Sequence, residues 1–396
     1  MKKNPINPWA FLVIVLASLT PVANATEGVE ASISGFMDAM YLSQKQSGVI
    51  NVSSDKGLRG FMFGQAEVDC TFKYGNGLTG RIDVSDGAGS DAKGGDLAIV
   101  GLPVGGGGAE SIVEQMRIDF SPNNNLTITL GKWDTFIGLE PLEPTDSYTM
   151  SLGLTKELEP TEQLGASVKY KRDFFVIEGA LVDSLSNVSF DFNKKLTTQF
   201  HFGVTPIDNL ELNLYYGTGG EGTDGIQEEA LIGTTSYLTD VSLQNDITLQ
   251  SFNIEYRMGS WYFGLEHINV KRDQGIITTY YGPFPTTKTS ATSEDTAWEA
   301  MANYSFSDPL SLTFRYGVNK ADERDPTSRM SGNIRNLTVA TIIKFLPSFP
   351  QWESKIEYAS QKGDAKYPTS DEHPSGIATS GAAKATIYAI ETTLKF

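Results

Sequence analysis

The rhythm of its connectors limits this chain more than any other feature. Beyond residue 25, segments of about ten residues carry apolar and polar side chains in alternation, the period of a strand with two different faces. Leu126-Thr-Ile-Thr-Leu130 and Leu310-Ser-Leu-Thr-Phe-Arg-Tyr-Gly-Val318 are clear cases. Sixteen strands are predicted, at 30–41, 60–73, 78–86, 111–120, 126–136, 164–171, 174–183, 196–205, 210–218, 247–258, 261–271, 297–306, 310–319, 336–345, 352–361 and 385–396. Short Gly/Asn/Asp/Pro connectors such as Tyr74-Gly-Asn-Gly77 and Ser307-Asp-Pro309 have turn chemistry. They alternate with long polar ones at 42–59, 87–110, 137–163, 184–195, 219–246, 272–296, 320–335 and 362–384. Both termini then fall on the short-turn side. This layout predicts an all-β fold, a closed antiparallel up-and-down transmembrane β-barrel with short periplasmic turns and long external loops. A count of 14 or 18 follows if a weak segment such as 30–41 or 174–183 is misassigned. A soluble β-sandwich would turn its apolar faces inward and vary its loop lengths.

Composition narrows the classes further. A net charge of -17 argues against a nucleic-acid partner, which calls for a basic footprint. Mean hydropathy is -0.21, and a bundle of membrane helices would need repeated apolar runs of about 20 residues. The single Cys70 excludes an internal disulfide framework and a cysteine zinc site, and only His201, His267 and His373 offer imidazole. No cofactor, metal site or enzymatic activity is expected. Residues 1–25 read as a cleaved signal peptide: Lys2 and Lys3, an apolar stretch from Trp9 to Leu19, then Ala23-Asn24-Ala25. Residues 26–396 would then form one barrel.

Charge decides which face meets lipid. The alternation puts Leu310, Leu312, Phe314, Tyr316 and Val318 on one side and Ser311, Thr313, Arg315, Gly317 and Asn319 on the other. Across the strands the polar side collects Arg81, Asp83, Arg117, Asp119, Lys169, Lys171, Arg315, Glu353, Lys355 and Glu357. A dry core could not solvate so many charges, so the polar side is predicted to line a water-filled lumen. Cys70 falls on the lipid side as a small apolar filler. Aromatics gather beside the short turns, at Phe72, Tyr74, Phe120, Tyr170, Phe174, Trp261, Phe306, Phe345, Trp352 and Phe396, as in an interfacial girdle.

With the signal peptide, this barrel grammar and a terminal Leu394-Lys395-Phe396, the sequence resembles Gram-negative outer-membrane porins. More narrowly, Gly131-Lys-Trp-Asp-Thr-Phe-Ile-Gly-Leu-Glu140 and Gly35-Phe-Met-Asp-Ala-Met-Tyr41 are similar to segments of the OmpL-like β-barrel porin family. Phe136 departs from that pattern, where Pro is frequent. The resemblance implies an outer-membrane location among lipid and lipopolysaccharide, recognition of Phe396 by the outer-membrane assembly machinery, and a homotrimer as one assembly. It also implies that the third long connector, 137–163, folds into the lumen as a constriction. The apolar Met150, Leu152 and Leu154 suit packing against an inner wall. That connector carries Glu140, Glu143, Asp146, Glu157, Glu159 and Glu162 against Lys156 alone. Inside a pore, such an excess would concentrate cations by field focusing; the alternative is that these acids sit outside, solvated or binding divalent cations that bridge lipopolysaccharide. Lys132 and Asp134 would face lipid by strict alternation; either a bulge at Gly131 turns them inward to line the pore opposite Arg117 and Asp119, or they lie above the membrane, where orientation matters little.

Other motifs carry less. His201 alternates with Phe200 and Phe202 and reads as a lining residue, without the partners of a catalytic triad. The 86–96 loop lacks the spacing of a calcium loop, and the glycines at 105–108 lack the Lys-Ser/Thr of a phosphate loop. The leading expectation is a channel for passive diffusion of small polar solutes or ions, with mild cation preference. The alternatives are a solute-selective channel, or a surface adhesin or structural barrel that binds through 219–246 and 272–296.

Overall fold

The structure is a computed structural model. It describes residues 29–396 except 48–56, 76, 88–112, 142, 144, 184, 186–195, 222–225, 233–234, 242–244, 274–276, 282–283, 290–291, 325–330, 346–351 and 367–380. The signal-peptide segment 1–25, most of the 86–96 loop and the glycines at 105–108 lie outside the described residues.

Every predicted strand forms. In chain order they are β1 (Val29–Ser47), β2 (Gly57–Tyr74), β3 (Leu78–Gly87), β4 (Val113–Asn123), β5 (Leu126–Asp134), β6 (Glu162–Arg172), β7 (Phe175–Val182), β8 (Thr197–Ile207) and β9 (Leu210–Glu221). They continue as β12 (Asn245–Met258), β13 (Trp261–Asp273), β16 (Thr292–Ser307), β17 (Leu310–Arg324), β18 (Ser331–Lys344), β19 (Trp352–Lys366) and β20 (Gly381–Lys395). Each pairs antiparallel with its predecessor, and β20 returns to β1 to close a sixteen-stranded barrel. Closure satisfies every edge, which a sheet surrounded by hydrocarbon requires.

Two long connectors depart from expectation. Segments 219–246 and 272–296 are not irregular loops. They contain β10 (Ile226–Ile232), β11 (Thr235–Val241), β14 (Ile277–Tyr281) and β15 (Phe284–Thr289), a separate four-stranded sheet in that order. Asp240 pairs with Thr278 and Val241 with Ile277, so the two hairpins join through β11 and β14. Runs such as Thr235-Ser-Tyr-Leu-Thr-Asp-Val241 carry the β-branched and aromatic residues strands favour. Sequence reading passed over them because Gly and acidic residues surround them.

The two faces of the barrel are inverted relative to a soluble protein. Met116, Ile118, Leu130, Phe314, Tyr316 and Ile390 stand exposed on the outside, whereas Gln115, Glu266, Glu299, Arg315, Lys355 and Glu391 are buried inside. Cys70 is buried beside its outward neighbours, in keeping with a filler role. The aromatics beside the short turns, among them Tyr74, Phe120, Phe174, Trp261, Phe306 and Trp352, are exposed as a girdle requires. The turns there use left-handed backbone at Gly75, Asn209 and Gly259, which Gly and Asn adopt most readily.

Barrel closure depends on one glycine. Phe396 exchanges two backbone hydrogen bonds with Gly35 (2.9 and 3.0 Å). A Cβ at Gly35 would sit 2.2 Å from the Glu67 carbonyl oxygen and 2.8 Å from the Phe396 ring, so only glycine admits both neighbours.

Candidate functional site: the lumen and its inserted segment

The chain between β5 and β6 leaves the wall and crosses the interior. Its neck is closed by the Thr135 N–H donating to the Thr161 carbonyl (2.8 Å). The excursion therefore covers 135–161 rather than 137–163, and Glu162 is not part of it. Glu162 is the first residue of β6, paired with Asp134.

Apolar side chains of this segment pack on the inner wall. Ile137, with Leu158, lies among Tyr215, Leu249, Ile268 and Val270 of β9, β12 and β13. Leu139 and Tyr148 meet Tyr262 and Met301 of β13 and β16. Met150 lies with Leu42, Ala359 and Ile387 of β1, β19 and β20. Leu154 is fully buried and faces Gly317 of β17, where only a hydrogen separates it from the wall. The apolar residues that a solvated loop does not need are accounted for by this contact. A single 3-10 turn, Lys156–Leu158, turns the segment back toward β6.

Polar side chains of the wall seize the segment's backbone. The Leu139 N–H donates to Glu266 Oε2 (3.3 Å) and the Leu154 N–H to Glu299 Oε2 (2.9 Å). The Met150 and Ser151 N–H groups both donate to Glu357 (2.6 and 3.2 Å). Arg315 does the reverse. Its guanidinium donates to the carbonyls of Ser151 (2.6 Å) and Leu152 (3.1 Å), to Thr149 Oγ1 (2.8 Å) and to Glu140 (2.5 Å). Glu140 in turn accepts the Gly153 N–H (2.7 Å).

Sequence reading placed Arg315 and Glu357 in the lumen but missed Glu266 and Glu299. A signal existed. Both fall on the polar side of their strands, and the register sets them directly opposite one another. Like charges so placed repel, so they need a third party.

The expected surplus of free acid on the segment is largely cancelled by partners that sequence spacing does not reveal. Glu140 meets Arg315, Glu143 meets Arg81 (3.4 Å), Asp146 meets Lys395 (3.5 Å) and Glu159 meets Lys156 (2.9 Å). Glu162 meets Lys132. Glu157 alone of the six has no ion-pair partner among the described residues, and it is exposed. Burial lifts Glu143, helped by Asp69 and Asp146, and burial holds Glu159 up against the pull of Lys156. Enclosure by the barrel, only partly offset by Arg315, raises Glu157 to about 7 even though its tip reaches solvent.

The remaining lining residues sit as follows. Arg81 bridges Asp83 (2.7 Å) and Asp69 (3.5 Å). Arg117 pairs with Asp119 (3.3 Å), which also accepts from Thr129 Oγ1 (2.6 Å). Lys169 pairs with Glu178 (3.0 Å). Lys355, wholly buried, lies between Glu391 (3.4 Å) and Glu353 (3.9 Å). Lys171 is exposed at the short-turn end, beyond the narrow part of the lumen.

The bulge expected at Gly131 does not form. Its left-handed backbone is present (φ 125°), but the register runs unbroken through Arg117–Gly131 and Met116–Lys132. Lys132 therefore stays opposite Met116 and Leu164, both outward, and its ammonium caps the Val113 carbonyl (2.8 Å) and reaches Glu162 at the rim. Asp134, at the strand's end, does turn inward and accepts from Gln115 Nε2 (2.7 Å).

A cavity of about 330 Å³ opens beside the segment, bounded among others by Asp134, Phe136, Pro141, Glu143, Asp146 and Lys156. Nearby, carboxylate oxygens of Glu67, Asp69 and Asp83 lie within 4.8 Å of one another, with Arg81 bridging the two aspartates. His201 hydrogen-bonds Asn213 (3.0 Å) and clusters with the rings of Phe136 and Tyr215 on the lumen side of β8, the lining position expected of it.

Residues 30–392 match a protein-family model described as "Putative beta-barrel porin-2, OmpL-like". No curated protein sequence matches. Among solved structures, the chain is similar to outer-membrane expressed OmpT of Vibrio cholerae, with a TM-score of 0.56 and 15% identity over 94% of this chain and 99% of that one. It is also similar to the outer membrane channel DcaP of Acinetobacter baumannii (TM-score 0.54, 11% identity, 94% and 99% covered). A third is an anion-selective porin from Comamonas acidovorans (TM-score 0.51, 9% identity, 92% and 100% covered). At such identities the likeness is one of fold.

Proposed function

This chain belongs to the OmpL-like beta-barrel porin-2 family, and on that premise we propose that it forms a water-filled channel in an outer membrane for passive diffusion of small polar solutes and ions. One observation carries the reading. Charged side chains of both signs line the inside while apolar ones stand exposed outside, and segment 135–161 lies folded within the lumen. A permeation path needs geometry and field rather than a reacting group. Segment 135–161 is its constriction. Small solutes pass where Arg81, Asp69, Asp119, Glu143 and Asp146 remain partly open to solvent. Cation preference is mild, because most carboxylates of the segment are matched by a cation, and the surplus comes from Glu157 and from Arg81 being shared among Asp69, Asp83 and Glu143. The protein from Comamonas acidovorans is described as anion-selective, so the shared fold leaves selectivity to the lining.

A homotrimer fits the uneven wall. Strands β3 to β7 are 8 to 11 residues long, whereas β16 to β20 run to 14 to 16. Packing against a second copy would shield the low side from lipid. One structure of OmpT of Vibrio cholerae is described as a trimer form. A second role, in surface attachment, is favoured by the sheet that β10, β11, β14 and β15 build beyond the barrel. Deleting those strands would then abolish attachment and leave permeability intact.

Purified protein added to a planar bilayer should give stepwise ohmic currents, with a reversal potential in a salt gradient that favours cations slightly. A silent bilayer would contradict the channel.

A further inference from the structure

We propose that Glu266, Glu299 and Glu357 are positioning residues that fix the aperture by accepting backbone N–H groups of segment 135–161. The proposal rests on the channel reading above and adds to it what sets the width. Each of the three is almost wholly buried, at 0%, 1% and 2% exposure. They stand on three different strands, β13, β16 and β19, and grip Leu139, Leu154 and the Met150–Ser151 pair. These grips are spread along the segment, so they hold its course rather than one end.

Two further features single them out. Glu266 and Glu299 are directly paired across adjacent strands, a like-charge juxtaposition that destabilises a bare sheet. Their surroundings are packed so closely that a Cβ at Gly153 would lie 2.1 Å from Glu299 Oε2. A side chain at position 153 would thus displace the carboxylate, and the glycine lets the backbone approach it. A carboxyl group also offers a backbone donor two acceptor oxygens on one side chain. Because the grip is on main chain, it occupies none of the segment's side chains, and Glu143 and Asp146 remain partly open to solvent. Width and charge selectivity are therefore set by different residues.

The test separates acceptor from charge. Glu299→Ala and Glu357→Ala remove the acceptor, whereas Glu299→Gln and Glu357→Gln keep a carbonyl oxygen in its place. Single-channel steps are recorded for each in a planar bilayer. In parallel, a spin label is placed at Ser147→Cys in a Cys70→Ala background, and its mobility is read in the refolded barrel. Heat-modifiable migration on gels confirms that each barrel has folded. The Ala variants should show a shift of the step distribution to larger and less uniform values and a more mobile label. The Gln variants should hold close to the parent in both. Unchanged steps and label mobility in folded Ala variants overturn the proposal. Gln variants as loose as Ala variants overturn the acceptor role. A parent that gives no steps, with a label that still loosens in the Ala variants, defeats the channel reading while sustaining the grip.

Discussion

The Arg315 guanidinium of β17 and the Glu140 carboxylate of the inserted segment meet at 2.5 Å, both almost wholly removed from solvent. A buried ion pair contributes little net stability compared with an apolar pair, but removing one partner strands the other. Arg315→Met should therefore destabilise the folded barrel by about 3–5 kcal/mol, the range for breaking such a pair. Arg315→Met with Glu140→Gln should recover part of that loss. Equilibrium urea unfolding in lipid vesicles, arranged as a double-mutant cycle, measures both. Strict additivity would show that the pair is not coupled.

Selectivity should depend on pH through Glu157. Its carboxyl is raised to about 7, so it is charged above that value and neutral below it. Cation preference should accordingly fall between pH 8 and pH 6, above the range in which an ordinary glutamate titrates. Reversal potentials in a salt gradient follow this. In Glu157→Gln that part of the pH dependence should vanish. Glu143 is also raised, chiefly by burial and against the pull of Arg81, and contributes its own pH dependence.

Exchanging one outward side chain should discriminate lipid from solvent. Phe314 is 50% exposed on the outer face of β17, next to the fully buried Arg315. Phe314→Arg places a charge against hydrocarbon and should cost about 2–4 kcal/mol if it lies near the midplane. Unfolding in vesicles should detect this. A neutral result would mean that the outer face meets water.

Closure should fail at Gly35. A methyl there collides with the Glu67 carbonyl and the Phe396 ring, so β1 cannot hold both β2 and the end of the chain. Gly35→Ala should lower the temperature at which the barrel loses its heat-resistant migration on gels, while the neighbouring Ser34→Ala should not.

Much of this architecture was legible because alternation is a local property. Leu310 to Val318 announces two faces without knowledge of any partner, and a short turn such as Tyr74 to Gly77 announces a hairpin. Even the weaker segments at 30–41 and 174–183 are strands of the barrel. The parts that sequence concealed are contacts between distant positions. Arg315 neutralises Glu140 across 175 residues, and Glu357 holds Met150 across 207, so no count of nearby charges could reveal the balance. Lys132 shows a related limit. Gly131 has the left-handed backbone that suggested a bulge, yet only the neighbouring register shows that the strand continues unbroken. The hairpins of 219–246 and 272–296 are masked by the Gly and acidic residues around them, and the sheet that unites them depends on the β11–β14 pairing between two separate connectors.

Accessibility along β5 tests the account most directly. Thr129 lies with Asp119 on the inner face, and the adjacent Leu130 is exposed on the outer one. In a Cys70→Ala background, Thr129→Cys and Leu130→Cys are each challenged in vesicles with a charged, membrane-impermeant maleimide. Labelling of the cysteine at 129 with protection at 130 is the predicted result. Protection at 129 with labelling at 130 would contradict a hydrated interior and the channel built upon it.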